Sequence, residues 1–92
     1  MMRSLTTTDS ASVLRWVMMR GSRAVTCEIR TASRGGFDVC VIPLWDVHAA
    51  TIEPFDRAAA AMRRHAEIAM AFRQSGWIVA RQTRGRATEV AA

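Results

Sequence analysis

Residues 14–29 read LRWVMMRGSRAVTCEI, and the fold turns on whether this stretch is extended. Gly21-Ser22 separates two apolar runs, the signal of a hairpin closed by a two-residue type II′ loop. Closing that loop sets Arg20 opposite Arg23, then pairs Met18 with Val25, Trp16 with Cys27 and Leu14 with Ile29, every pair apolar. The same register places Arg15 opposite Glu28 on the other face, a charge complement that a one-residue slip would remove. The spacing of Val13, Leu14, Val17 and Met18 also permits a helix, with Ser10 as its cap and Gly21 as its stop.

The next punctuation, Ser33-Arg34-Gly35-Gly36, marks a second hairpin turn. Taken as an even-numbered loop, it adds Cys40, Ile42 and Leu44 to the face that carries Leu14, Trp16, Met18, Val25, Cys27 and Ile29. The chain then reads as irregular from Asp46 to Glu53. Pro54 suits the first turn of a helix. Winding Phe55–Ser75 at about 100° per residue gathers Phe55, Ala58, Ala61, Met62, His65, Ala66, Ile68, Ala69 and Phe72 on one arc, opposite a charged face. Gly76 supplies a left-handed cap that ends this helix. Trp77-Ile78-Val79-Ala80 reads as a short fourth strand, entering by a crossover and parallel to the third strand or the first.

The expected fold class is therefore α+β: a three-stranded antiparallel meander packed on one helix in the C-terminal half, with a short fourth strand. One domain spans residues 13–82 between disordered tails at 1–12 and 83–92. A chain of 92 residues supports a single hydrophobic core.

Composition bounds the function. Half the residues are hydrophobic and 23% charged, which is ordinary globular composition. The sequence holds no Lys, Asn or Tyr, and all 13 basic residues are Arg; GC-rich coding explains this without any selection for phosphate recognition. The net charge of +5 favours polyanions or acidic surfaces only in a general way. Val39–Trp45 is the longest uncharged apolar stretch near the sheet, far too short to span a bilayer. Met1–Ser12 lacks the apolar block and cleavage site of a signal peptide. These features place the chain in the cytoplasm, with Cys27 and Cys40 as reduced thiols.

No constellation points to catalysis or to a cofactor. Cys27, Cys40, His48 and His65 lack the paired short gaps of a zinc site. Asp46 and His48 stand without a nucleophile, and Arg34-Gly35-Gly36 lies between strands instead of ahead of a helix, so it is no phosphate loop. His65, on the apolar arc, is expected to be partly buried and bonded to backbone or water.

Surfaces remain. The sheet face turned away from the helix would expose Val13, Val17, Met19, Val39 and Val41, an apolar patch of the kind that marks contact between proteins. Arg15, Arg23, Arg30, Arg34, Arg81 and Arg84 are the candidate contacts of a nucleic-acid footprint. The expectation is a non-catalytic interaction module, a homodimer or one docked on another protein, with a small basic nucleic-acid-binding protein as the alternative.

The run Arg64-His65-Ala66-Glu67-Ile68, then Phe72-Arg73 and Gly76-Trp77, together with Thr26-Cys27-Glu28-Ile29, resembles a group of short bacterial proteins without an assigned activity. The resemblance implies strands before helix and carries no functional residue.

Overall fold

A computed structural model describes residues 11–85. The first strands are β1 (Ser12–Arg20) and β2 (Arg23–Thr31), extended and antiparallel, so the helical reading of this stretch does not hold. Their register pairs Arg20 with Arg23, Met18 with Val25, Trp16 with Cys27 and Leu14 with Ile29. Gly21 takes φ +61 while Ser22 does not enter the left-handed region, which is the pattern of a type II′ turn. Arg15 stands opposite Glu28, although the two side chains do not close to ion-pair distance.

The second turn corrects the expected parity. Thr31 pairs with Phe37 at the start of β3 (Phe37–Pro43), so five residues, Ala32–Gly36, close the loop. An odd loop reverses the alternation of the strand that follows it. Val39 and Val41 consequently sit opposite Ile29 and Cys27 on the helix-facing side, while Cys40 and Ile42 sit beside Glu28 and Thr26 on the outer side. Val39 is buried in the core at 1% exposure, so neither it nor Val41 belongs to an exposed patch. Val13 leaves that patch too: the register shifts between Ser12 and Leu14, and Val13 packs against the Ile29, Val39 and Ala61 cluster.

The segment expected to be irregular contains a short 3-10 turn (Val47–Ala49) and a further strand, β4 (Thr51–Phe55), antiparallel to β3. Pro54 is thus an edge-strand residue opposite Asp38 and not a helix opener, a position that a residue without an amide hydrogen tolerates. Helix α1 (Ala58–Gln74) begins later than its apolar arc suggested. It ends in a Schellman motif: Trp77 N–H donates to Phe72 O at 3.0 Å, Gly76 N–H to Arg73 O at 3.1 Å, and Gly76 takes φ +93.

The last strand, β5 (Ile78–Arg84), lies antiparallel beside β1, giving the order β4-β3-β2-β1-β5. The parallel pairing read from the sequence fails because β4 reverses the chain once more before the helix carries it across the sheet. β5 also continues beyond Gln82 to Arg84. The expected tails lie mostly outside the described residues.

One sheet face packs on α1 through two clusters. Met18, Val25 and Ala69 form one, flanked by Trp16, Val41, Phe72, Trp77 and Val79; Ile29, Val39 and Ala61 form the other, flanked by Leu14, Phe37, Phe55 and Ile68. The buried helix stripe is Ala61, His65 and Ala69, one residue per turn on one side of the helix, and its two alanines let the axis approach the strands.

Gly36 tests the second turn. It takes φ +85, and a Cβ there would stand 2.6 Å from Phe55 O. Gly36→Ala should lower stability by more than about 1 kcal/mol in urea denaturation, through both backbone strain and the clash. Wild-type stability in this variant would show that the turn is not built in this way.

Candidate interaction surface

The outer sheet face assembles row by row from the pairings. Ile52, Cys40, Glu28, Arg15 and Thr83 form one row; Ile42, Thr26, Val17 and Arg81 form the next; Ala24, Met19 and Ile78 form a third. An apolar diagonal therefore runs from Ile52 at the β4 edge through Ile42, Val17 and Met19 to Ile78 at the β5 edge. Its two ends are the most open, Ile52 at 64% and Ile78 at 66% exposure. Among the described residues no second element packs on this face, yet at its centre Thr26, Cys40 and Glu28 are buried at 2%, 3% and 9% exposure, and Val17, Met19 and Ile42 are half-buried. Of the five apolar residues expected here, Val17 and Met19 are in place; Ile42 and Ile52, missed in the sequence, take the positions assigned to Val39 and Val41.

The six candidate arginines do not form one patch. Arg15 and Arg81 meet beside Val17, Ala80 and Thr83 around a shallow depression on the outer face. Arg34 is held by Asp38 at 2.6 Å, a contact that raises its pKa further. Arg23 lies over the Trp45 ring, 4.8 Å from its centroid. Arg84 stands level with Leu14 on the helix-facing side, and Arg30 buries its Nε without a hydrogen-bond partner among the described residues.

The helix side carries a second open feature. α1 packs chiefly on β2 and β3, leaving a groove of about 830 Å³ along β1 and β5, lined by Trp16, Ala66, Ala69, Met70, Trp77 and Val79 with Arg73 at its rim. Aromatic rings close one end of the sheet. Trp45 stacks on Trp77 at 6.0 Å, and Phe72 meets Trp77 edge-on at 5.3 Å. Nothing in the sequence links Trp45 to Trp77; only the crossover brings them together.

His65 is 2% exposed. Its Nε2 lies 3.0 Å from Cys27 O, and a carbonyl only accepts, so Nε2 carries the proton. Trp16 meets the ring edge-on at 5.2 Å. Burial depresses the His65 pKa, with the Cys27 carbonyl acting in the opposite sense. The thiols are quiet: burial, and then the neighbouring Cys40, push Cys27 up to about 12, and burial also raises Cys40. Cys40 faces outward in register, contrary to the expectation that both thiols face the helix. His48 lies in the exposed 3-10 turn. Among the described residues no group of three His, Cys, Asp or Glu side chains is placed to hold a metal ion, and no helix is long and apolar enough to cross a membrane.

On the far flank of α1, Arg64 bridges Glu53 at 2.8 Å and Glu67 at 3.3 Å, and the first contact holds the Glu53 carboxyl below its usual range. Comparison with family models, curated proteins and solved structures returned no match.

The His65 site sets a pH dependence. The unfolded imidazole titrates near 6.5 and the folded one lower, so the unfolded state takes the proton first. The stability His65 contributes is complete above about pH 6.5 and is lost as pH falls through that value toward the folded pKa. Denaturation midpoints at pH 7.5 and pH 5 should differ in the wild type, with the acid sample weaker. His65→Phe should be less stable at pH 7.5 and show a smaller difference; an unchanged difference would assign it to other groups.

Proposed function

We propose that this chain is a non-catalytic interaction module that pairs with a second copy of itself through the outer face of its sheet. The observation that supports this reading is the apolar diagonal of Ile52, Ile42, Val17, Met19 and Ile78, exposed at its two ends and half-buried between them. Water against such a stripe is costly at roughly 25 cal/mol per Å² of apolar area, and a small one-helix domain gains most by covering it. A two-fold pairing of identical faces covers both stripes at once. The raised thiol pKa values and the backbone-bonded imidazole fit binding better than chemistry.

The rival reading, a basic nucleic-acid-binding domain, draws on the net charge of +5. It needs arginines gathered on one surface, whereas here one is held by Asp38, one lies on Trp45 and one is buried at Nε.

Light scattering on the full chain tests the proposal. The wild type should give twice the 10.2 kDa chain mass, and Val17→Glu or Ile42→Glu should give a folded monomer. Val41→Glu should unfold the domain instead, since Val41 packs against the Met18 cluster. A wild type that stays monomeric at high concentration would overturn the reading.

A further inference from the structure

The two edges of the sheet are chemically unlike. β4 is five residues long and contains Pro54, which has no amide hydrogen to offer and blunts that edge. β5 runs for seven residues, Ile78–Arg84, without proline. Gly85 N–H donates to Val13 O at 2.8 Å, and inward and outward backbone groups alternate along an antiparallel strand. Thr83 and Arg81 therefore bond toward β1, while the amides and carbonyls of Gln82 and Arg84 point away from the sheet. Next to this edge, on the helix side, lies the groove walled by Ala66, Ala69, Met70 and Val79. Met70 is 60% exposed there.

Among the described residues the charge around this edge has one sign. Arg84 projects on the helix-facing side, Arg81 on the outer side and Arg73 from the groove rim. Among the described residues no carboxylate lies on β5 or lines the groove. The nearest acid on the helix, Glu67, is drawn to Arg64 on the opposite flank.

We propose that β5 accepts an extended acidic segment of a partner protein as a sixth, antiparallel or parallel strand. The backbone groups of Gln82 and Arg84 would pair with it, its alternate apolar side chains would enter the groove beside Met70 and Val79, and its carboxylates would meet Arg73, Arg81 and Arg84. Strand addition of this kind draws affinity from main-chain hydrogen bonds and selectivity from the side-chain pockets beside the edge. A second copy of this chain is a poorer occupant, because pairing β5 with itself concentrates Arg81 and Arg84 of both copies in one place. The inference does not depend on the outer-face dimer: the backbone edge of β5 and the helix-side groove lie outside that face, and the two surfaces adjoin at Ile78 and Arg81.

The test uses the full 92-residue protein, isotope-labelled, with a blocked peptide of alternating valine and glutamate and a matched peptide carrying lysine in place of glutamate. Amide exchange at Gln82 and Arg84 should slow with the glutamate peptide. The lysine peptide should bind at least about tenfold more weakly, and added salt should weaken the glutamate complex. Gln82→Pro removes an outward amide at an edge position and should abolish protection; if that variant fails to fold, the pair Arg81→Glu and Arg84→Glu should instead shift preference to the lysine peptide. Ile42→Glu, three strands away from β5 on the outer face, should leave peptide binding unchanged, separating this site from the outer face. Equal binding of both peptides, or no protection by either at saturating peptide, would overturn the proposal. So would protection of Gln82 and Arg84 that rises with protein concentration alone, which would assign the edge to a second copy.

Discussion

A pleated strand has only two faces, so the number of residues in each turn decides which side chains enter the core. Here two turns set the whole arrangement. Gly21-Ser22 keeps the alternation of β1 in step with β2, and the five residues Ala32–Gly36 invert it for β3. Left-handed backbone at Gly35 and Gly36 makes the second turn close, with Gly36 tight against Phe55 O. Val39 and Val41 go inward as a result, and Cys40 and Ile42 go outward. β4 then adds one more reversal, so the helix leaves from one edge of the sheet and β5 returns at the other.

His65 fixes where the helix lies on this sheet. It stands between Ala61 and Ala69, which belong to the two separate clusters, and its ring bonds the carbonyl of Cys27 in the central strand. The net gain from such a bond is about 1 kcal/mol, but a buried imidazole without that partner would cost more. Pinned there, α1 covers β2 and β3 and leaves the Trp16 and Val79 side open. The groove beside β5 follows from that placement, and so does the neutral imidazole.

Much of the first hairpin was legible because two independent patterns agreed: apolar pairs on one face and Arg15 opposite Glu28 on the other. The helix was legible through its 3.6-residue period and Gly76. The second turn was not, because Val39-Cys40-Val41-Ile42 is apolar at every position and either parity yields an oily face. β4 was hidden by Pro54, which opens helices and also sits on edge strands, and only the pairing with β3 distinguishes the two. The outer face was legible in part, through Val17 and Met19. Its other members depend on a turn length that no side chain announces. The stack of Trp45 on Trp77 and the unlike edges belong to the topology, which follows from β4.

Parity at the second turn is open to direct measurement by proton NMR. Antiparallel pairs that do not exchange hydrogen bonds bring their Cα atoms within about 4.5 Å. Leu44 N–H donates to Ala24 O, so the alternation makes Cys27–Val41 and Ile29–Val39 pairs of that kind. Strong Hα–Hα cross-peaks between Cys27 and Val41 and between Ile29 and Val39 are the expected result. Cross-peaks from Cys27 to Cys40 or Ile42 in their place would put Val39 and Val41 back on the outer face and contradict the account.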